Sequence, residues 1–303
     1  MKTYYLIPVI LLLAYTAKVQ GQNGLANRIT LRKSFKSSNA RAEAAAFTFN
    51  KPKESPASWA ADAAIGIQLF NALFKRSPLI MTLNPYIEYH KNTLVDKEQD
   101  SREAGIATQW QTNALPLRGP GFSPIFILSE KYNEDRVKGN YSMRGNLYFT
   151  PLFPRKDSGF LSFITPNNIA LGIDSLFDFQ YAPYIGLEHE NRTNTGKVEA
   201  KGHIYRWYAR INPVISFFPT RPNLRGRIEV SADYQYRWDF SKNVQEIGRD
   251  THEYFTIGFS YAFFKNGDGS KAAKIGFDFV NGEDPTANFE EQSYYAITLK
   301  VKL

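Results

Sequence analysis

Four histidines, His90, His189, His203 and His252, and the absence of cysteine bound the chemistry open to this chain of 303 residues. Without cysteine there is no thiol nucleophile, no cysteine zinc or iron–sulfur site, no disulfide framework and no lipid-modified N-terminal cysteine. None of the histidines stands in a His-Glu-x-x-His pattern or another metal-ligand spacing, and neither a Gly-x-Ser-x-Gly elbow nor a Gly-x-x-x-x-Gly-Lys phosphate loop is present. The stretch nearest to a catalytic arrangement is Gly186-Leu187-Glu188-His189-Glu190-Asn191. It sets an imidazole two residues before an amide, and an amide cannot be deprotonated by His189 to attack an ester. Thr193 could replace it only if the following loop turned back. No catalytic residue, metal ligand or cofactor is assigned, and the chain is expected not to be an enzyme.

The elements that would position these groups have a period of two. In residues 226–240, Arg227, Glu229, Asp233, Arg237 and Asp239 fall on one face, and Ile228, Val230, Tyr234, Trp238 and Phe240 on the other. Side chains alternate across a strand, whereas a helix would mix the two sets. The pattern recurs in residues 177–188, 255–263 and 294–303, and less cleanly in 79–90 and 137–150 around Pro85 and Gly145. Compact Gly, Pro and Asn turns near residues 75–78, 219–223 and 265–269 alternate with longer charged connections near 96–103, 191–197, 241–250 and 281–288. About twelve strands result, several far longer than the roughly 5–6 residues usual in globular proteins. They start near residues 42, 58, 79, 103, 124, 137, 175, 197, 224, 251, 271 and 290. Residues 151–168 fit either a long connection or an extra hairpin.

Composition agrees with two-faced strands. Apolar residues reach 43%, too many for a disordered chain, with 15% aromatics, 18 Tyr and 23 Phe. Mean hydropathy is nevertheless −0.39, and no second apolar run suits a helical membrane protein. Lys2, the apolar run from Tyr4 to Tyr15 and the short residues up to Gly21 read as a secretory signal peptide over residues 1–21. Its removal would take Lys2 and Lys18 and lower the net charge from +8 to +6. Arg28, Arg32, Lys33, Lys36 and Arg41 follow, with no acid from Asn27 to Ala42. Residues 22–41 are expected to be a solvated basic arm, with a small plug or a docking segment as the alternatives. No nucleic-acid motif accompanies the positive charge.

Long two-faced strands behind a signal peptide predict an all-β fold, a closed antiparallel transmembrane β-barrel over residues 42–303. Lipid offers the backbone no hydrogen-bond partner, so a sheet crosses it only if closed. The pattern resembles the outer-membrane β-barrel proteins of double-membraned bacteria. The final strand, Tyr294 to Leu303, looks like the C-terminal assembly signal of such barrels, although Leu303 stands where that family usually ends on an aromatic residue. The resemblance implies a bacterial outer-membrane location with both termini in the periplasm. It also implies outer-membrane lipid, lipopolysaccharide and the barrel-assembly machinery as partners. A weaker resemblance is to outer-membrane phospholipase A, also a barrel of about twelve strands, whose catalytic His and Ser lie two apart on an outward face with an Asn on the next strand. Asn191 falls where that Ser would be and His203 near that Asn, so the motif is broken.

On this register the lumen-lining candidates are Arg144, Arg206, Arg210, Arg227 and Arg237 among the cations. The acids are Glu88, Asp178, Glu188, Glu229 and Asp233. They fit either a cross-strand ion-pair ladder that fills the interior or a charged constriction that selects solutes. The expected function is a narrow porin-like channel or transporter for small solutes. A non-transporting surface receptor or structural barrel is the alternative, and a phospholipase-like acyl hydrolase the third reading.

Overall fold

The computed structural model describes residues 28–36, 42–50, 56–73, 79–94, 98–112, 121–153, 160–167, 170–172, 176–194, 201–221, 223–244, 249–266, 271–285 and 289–302. The expected signal peptide lies outside these residues. In chain order the elements are β1 (Ile29–Arg32), β2 (Ala45–Asn50), β3 (Ser58–Ile67), β4 (Phe70–Leu73), β5 (Leu79–Asn92), β6 (Gln99–Thr112), β7 (Ile125–Asp135) and β8 (Asn140–Thr150). There follow a short helix α1 (Phe160–Ile164), β9 (Ala170–Leu171), β10 (Phe177–Gln180), β11 (Pro183–Asn194), β12 (Gly202–Ile211), β13 (Val214–Phe217), β14 (Ile228–Lys242), β15 (Thr251–Lys265), β16 (Ala272–Asp284) and β17 (Glu290–Lys302).

Antiparallel ladders join neighbours around the sheet, and β17 pairs back to β2, with Leu299 opposite Phe47 and Ile297 opposite Phe49. The result is a closed barrel of 12 strands, as the alternation predicted. Besides β1 with β2, three strands are each broken into two pieces: β3 with β4, β10 with β11, and β12 with β13. Proline, which has no N–H to give a ladder, marks each of these three breaks. Pro85 on β5 lies opposite the gap between β3 and β4, Pro183 opens β11, and Pro213 separates β12 from β13. The uncertain stretch after Pro151 is a connection that carries α1 and ends in the two-residue β9.

The faces are those of a membrane barrel. Phe49, Ile87, Leu128, Trp207, Phe259, Phe277 and Ile297 are exposed outward, while Glu88, Lys131, Glu190, Arg206 and Arg237 are buried inside. A soluble barrel would have these sets reversed, because apolar area leaves water at roughly 25 cal/mol per Å². Here that area faces outward, where hydrocarbon suits it.

Connection lengths depart from expectation. At the end that carries both termini lie the long connections 113–124 and 151–176, while β7 turns into β8 at the opposite end through only residues 136–139. The alternation of short turns with long loops therefore holds for only part of the chain.

The basic segment is the larger difference. β1 pairs with β3 from Ile29–Ile67 to Arg32–Ala64, and β2 takes up the same edge of β3 from Ala46–Asp62 onward. β1 and β2 are thus one strand of the wall, interrupted at residues 33–44. The interruption leaves and rejoins the wall at one place, where Lys33 N–H donates to Glu43 O at 2.8 Å. Its described residues fold inward. Phe35 is 1% exposed, stacks on Tyr86 at 4.5 Å and lies under the Arg32 guanidinium at 3.7 Å. Gly66 makes the slot, since a Cβ there would fall 2.1 Å from the Phe35 ring. Residues 28–36 are therefore wall and plug, and not a solvated arm. Hydrophobic alternation over four residues was too short to reveal β1, and a lone Phe among cations did not mark a buried ring.

Candidate functional site: the lumen

Alternate residues of every long strand send polar side chains inward, and the charges meet across strands. From the plug, Lys33 reaches Asp62 on β3 at 3.9 Å. Asp62 Oδ1 accepts from His90 Nδ1 at 2.8 Å, and His90 Nε2 lies 3.4 Å from Glu88. Lys131 on β7 bridges Glu88 at 3.0 Å and Glu103 on β6. Arg144 on β8 continues from Glu103 at 3.7 Å to Glu190 on β11 at 3.1 Å. Arg206 on β12 joins Glu190 at 2.9 Å to Asp239 on β14 at 2.8 Å. His252 on β15 carries the chain from Asp239 at 3.5 Å to Glu283 on β16. The belt thus runs from the plug through β3, β5, β7, β6, β8, β11, β12, β14, β15 and β16.

A second tier lies nearer the terminus-bearing end. Arg237 donates to both Glu188 oxygens at 2.9 and 3.2 Å and sits 4.5 Å over the Tyr208 ring. Arg210 donates twice to Asp233, at 2.6 and 3.0 Å, and also to Glu43 of the plug. Lys274 pairs with Glu229, and Lys300 with Asp278 at 2.8 Å. Charges withdrawn from water are tolerable only when paired in this way. Between β7 and β12 the space is filled by Ile125, Ile127, Tyr148, Tyr184 and Tyr208. On the other side, against β14 to β17 and β2, an open cavity of about 460 Å³ remains, and Lys33, Glu43 and Arg210 stand at its plugged side.

Of the residues expected in the lumen, Arg144, Arg206, Arg210, Arg237, Glu88, Glu188, Glu229 and Asp233 are brought together in these pairs. Two stand apart. Arg227 precedes β14 in a turn, where it donates to the carbonyls of Ala262 and Phe263 at 3.1 and 3.4 Å, so it belongs to the rim. Asp178 is half-buried on β10 near the same end, opposite Ser216 and Leu171. Glu103, Lys131 and Glu190 are central yet were not singled out. Their strands also carry Arg102, Glu130 and Glu134 on the opposite parity, which hides the register; Glu190 simply continues the face of Glu188.

Glu88, His90 and Glu103 bring ligand atoms within 4.8 Å of one another, the one such group among the described residues. The Lys131 ammonium touches both of its carboxylates, so an internal cation already stands where a metal would bind. On the outer face His189 Nε2 lies 3.4 Å from His203 Nδ1, and its ring stacks on Tyr205 at 4.6 Å. Asn191 pairs with His203 across the ladder. Among the described residues His189 has no hydroxyl partner, so the acyl-transfer geometry is not assembled there.

No protein-family model matches the chain, and no curated protein matches it either. Among solved structures it is similar to the transport unit of the autotransporter AIDA-I from Escherichia coli, at 8% identity and a TM-score of 0.41 over 97% of this chain and 95% of that one. It is also similar to a bacterial polysaccharide outer membrane secretin, at 8% identity and 0.38 over 91% and 98%. A third likeness is to the outer membrane protein OprD from Pseudomonas aeruginosa, at 7% identity and 0.27 over 90% and 92%. Likenesses this distant say nothing of activity, and the closed barrel stands on its own ladders.

Removing one partner of a buried pair strands the other charge. Arg237→Met is expected to lower the unfolding free energy by about 3–5 kcal/mol. Lys138→Ala, which breaks the exposed pair with Glu290, should cost about 0–1 kcal/mol. Denaturant midpoints followed by tryptophan fluorescence in detergent micelles check the contrast.

Proposed function

We propose that this chain is an outer-membrane β-barrel that passes small polar solutes and is held closed by its own inward segment. The observation that carries the reading is the 460 Å³ cavity inside the wall, lined by paired charges and small residues and stopped on one side by the plug. That volume is in the usual range for small-molecule sites. Charges of both signs line it, so strong cation or anion preference is not expected. Among the described residues the plug is held by the Phe35 ring and by ionic contacts to Asp62 and Arg210, which can exchange with water or solute.

The outward apolar band supports placement in lipid, with lipopolysaccharide and the assembly machinery as the natural partners of such a surface and of β17. A closed barrel with an even strand number returns the chain to its starting side, which would put both termini in the periplasm. The long filled belt supports the second reading, a structural or receptor barrel that conducts nothing. The unassembled His189 site supports a non-enzymatic role.

The closeness of Lys33 to Glu43 permits excision of residues 34–42 with a two-glycine joint. In planar bilayers the whole protein should be mostly silent and the excised variant should show stepwise conductance. If the excised, folded barrel stays silent, the transport reading fails. Protease added to intact cells should cut near 245–248 and spare 267–270; the reverse pattern would overturn the orientation. Hydrolysis of a phospholipid analogue by purified protein, lost in His189→Ala, would overturn the non-enzymatic role.

A further inference from the structure

Around the inner tip of the described plug, the wall cations Lys131, Arg144, Arg206 and Arg237 each have a carboxylate partner, and Lys36 at that tip has none. Lys131 has Glu88 and Glu103, Arg144 has Glu190, Arg206 has Glu190 and Asp239, and Arg237 has Glu188. No ion pair to Lys36 exists among the described residues. The residues that follow in sequence, Ser37, Ser38, Asn39, Ala40 and Arg41, include no acid. Lys36 is thus a half-buried cation of the cluster that makes no direct contact with a carboxylate among the described residues.

Lys36 borders a second, much smaller chamber of about 20 Å³, with Lys131, Arg144, Arg206, Asn146 and Phe289 among its other walls. Arg206 is 3% exposed, and its Nη2 is buried without a hydrogen-bond partner. Phe289 covers the guanidinium at 4.7 Å. An orphaned buried N–H donor is costly and calls for a partner. The acids of the chamber, Glu188 and Glu190, are already engaged by Arg237, Arg144 and Arg206.

The geometry points to a monovalent anion site in this chamber, of halide size, held between Lys36 of the plug and Arg144 and Arg206 of the wall. A space of this volume accepts one water-sized particle and excludes an oxyanion as large as phosphate. A halide would accept from the Lys36 ammonium and from the free Arg206 N–H, in a chamber whose lining carries Lys36, Lys131, Arg144 and Arg206 against two carboxylates, Glu188 and Glu190. Because Lys36 belongs to the plug and the arginines to β8 and β12, the ion ties the plug to the wall. The inference rests on where residues 33–36 lie and is independent of transport.

Bromide is the probe, because its anomalous scattering separates it from water. Crystals of the full protein soaked in bromide should show one anomalous peak among Lys36, Arg144 and Arg206. In Lys36→Gln, which removes an unpaired charge and breaks no ion pair, that peak should be lost while the barrel is unchanged. An ordered water with no anomalous signal in the native protein would overturn the site, as would a peak undiminished in Lys36→Gln. As a readout in solution, bromide affinity measured by quenching of a tryptophan placed at Phe289 should fall about tenfold or more in Lys36→Gln, the equivalent of one lost charge-assisted contact. Equal affinity in the two proteins would also overturn it.

Discussion

An unpaired peptide group in hydrocarbon costs several kcal/mol, and this constraint governs the rest of the molecule. It forces β17 back onto β2, and closure then divides every strand into a face toward lipid and a face toward the interior. Once the outside is apolar, the inside must hold the charges. Paired charges are the only kind that a half-dry interior tolerates, and the belt from Lys33 to Glu283 follows. The prolines at 85, 183 and 213 show the same constraint from the other side, because the ladder is interrupted where the chain lacks a donor.

The belt and the plug are parts of one electrostatic arrangement. Glu43 completes Arg210, Lys33 completes Asp62, and the Phe35 N–H donates to Glu88 at 2.7 Å. The wall thus includes acceptors and donors whose partners come from the segment that obstructs it. A filled half between β7 and β12 gives stiffness, and the empty half against β14 to β17 gives volume. Whether the wall encloses a continuous path depends on where that segment lies, not on the shape of the wall.

The fold was legible because period two is unambiguous where a strand gives one face to lipid. The residue pattern of β14 alone, from Ile228 to Phe240, distinguishes strand from helix and inside from outside. Strand onsets expected at residues 58, 79, 251 and 290 coincide with β3, β5, β15 and β17. Legibility failed where charges occur at both parities, as with Glu130 beside Lys131, and where pairing is set by a distant partner. β1 is four residues long, and only β3 makes it a strand. The pairing of Arg210 with Asp233 could be read from neighbouring strands, but its third partner, Glu43, comes from 167 residues away. No local pattern carries such a contact.

The hydrogen bond between Lys33 and Glu43 has a mechanical consequence. Because the obstructing segment starts and finishes at one point, its length is uncoupled from the circumference and register of the wall. It behaves as a pendant attached to a closed hoop, and residues could be added to it or lost from it without moving any ladder. Among the described residues the tether on its upstream side is β1, four residues held edge-on to β3. Force applied to the chain before residue 28 would load that short seam in shear before it reached Phe35, so the seam, not the ring, sets how firmly the pendant is anchored.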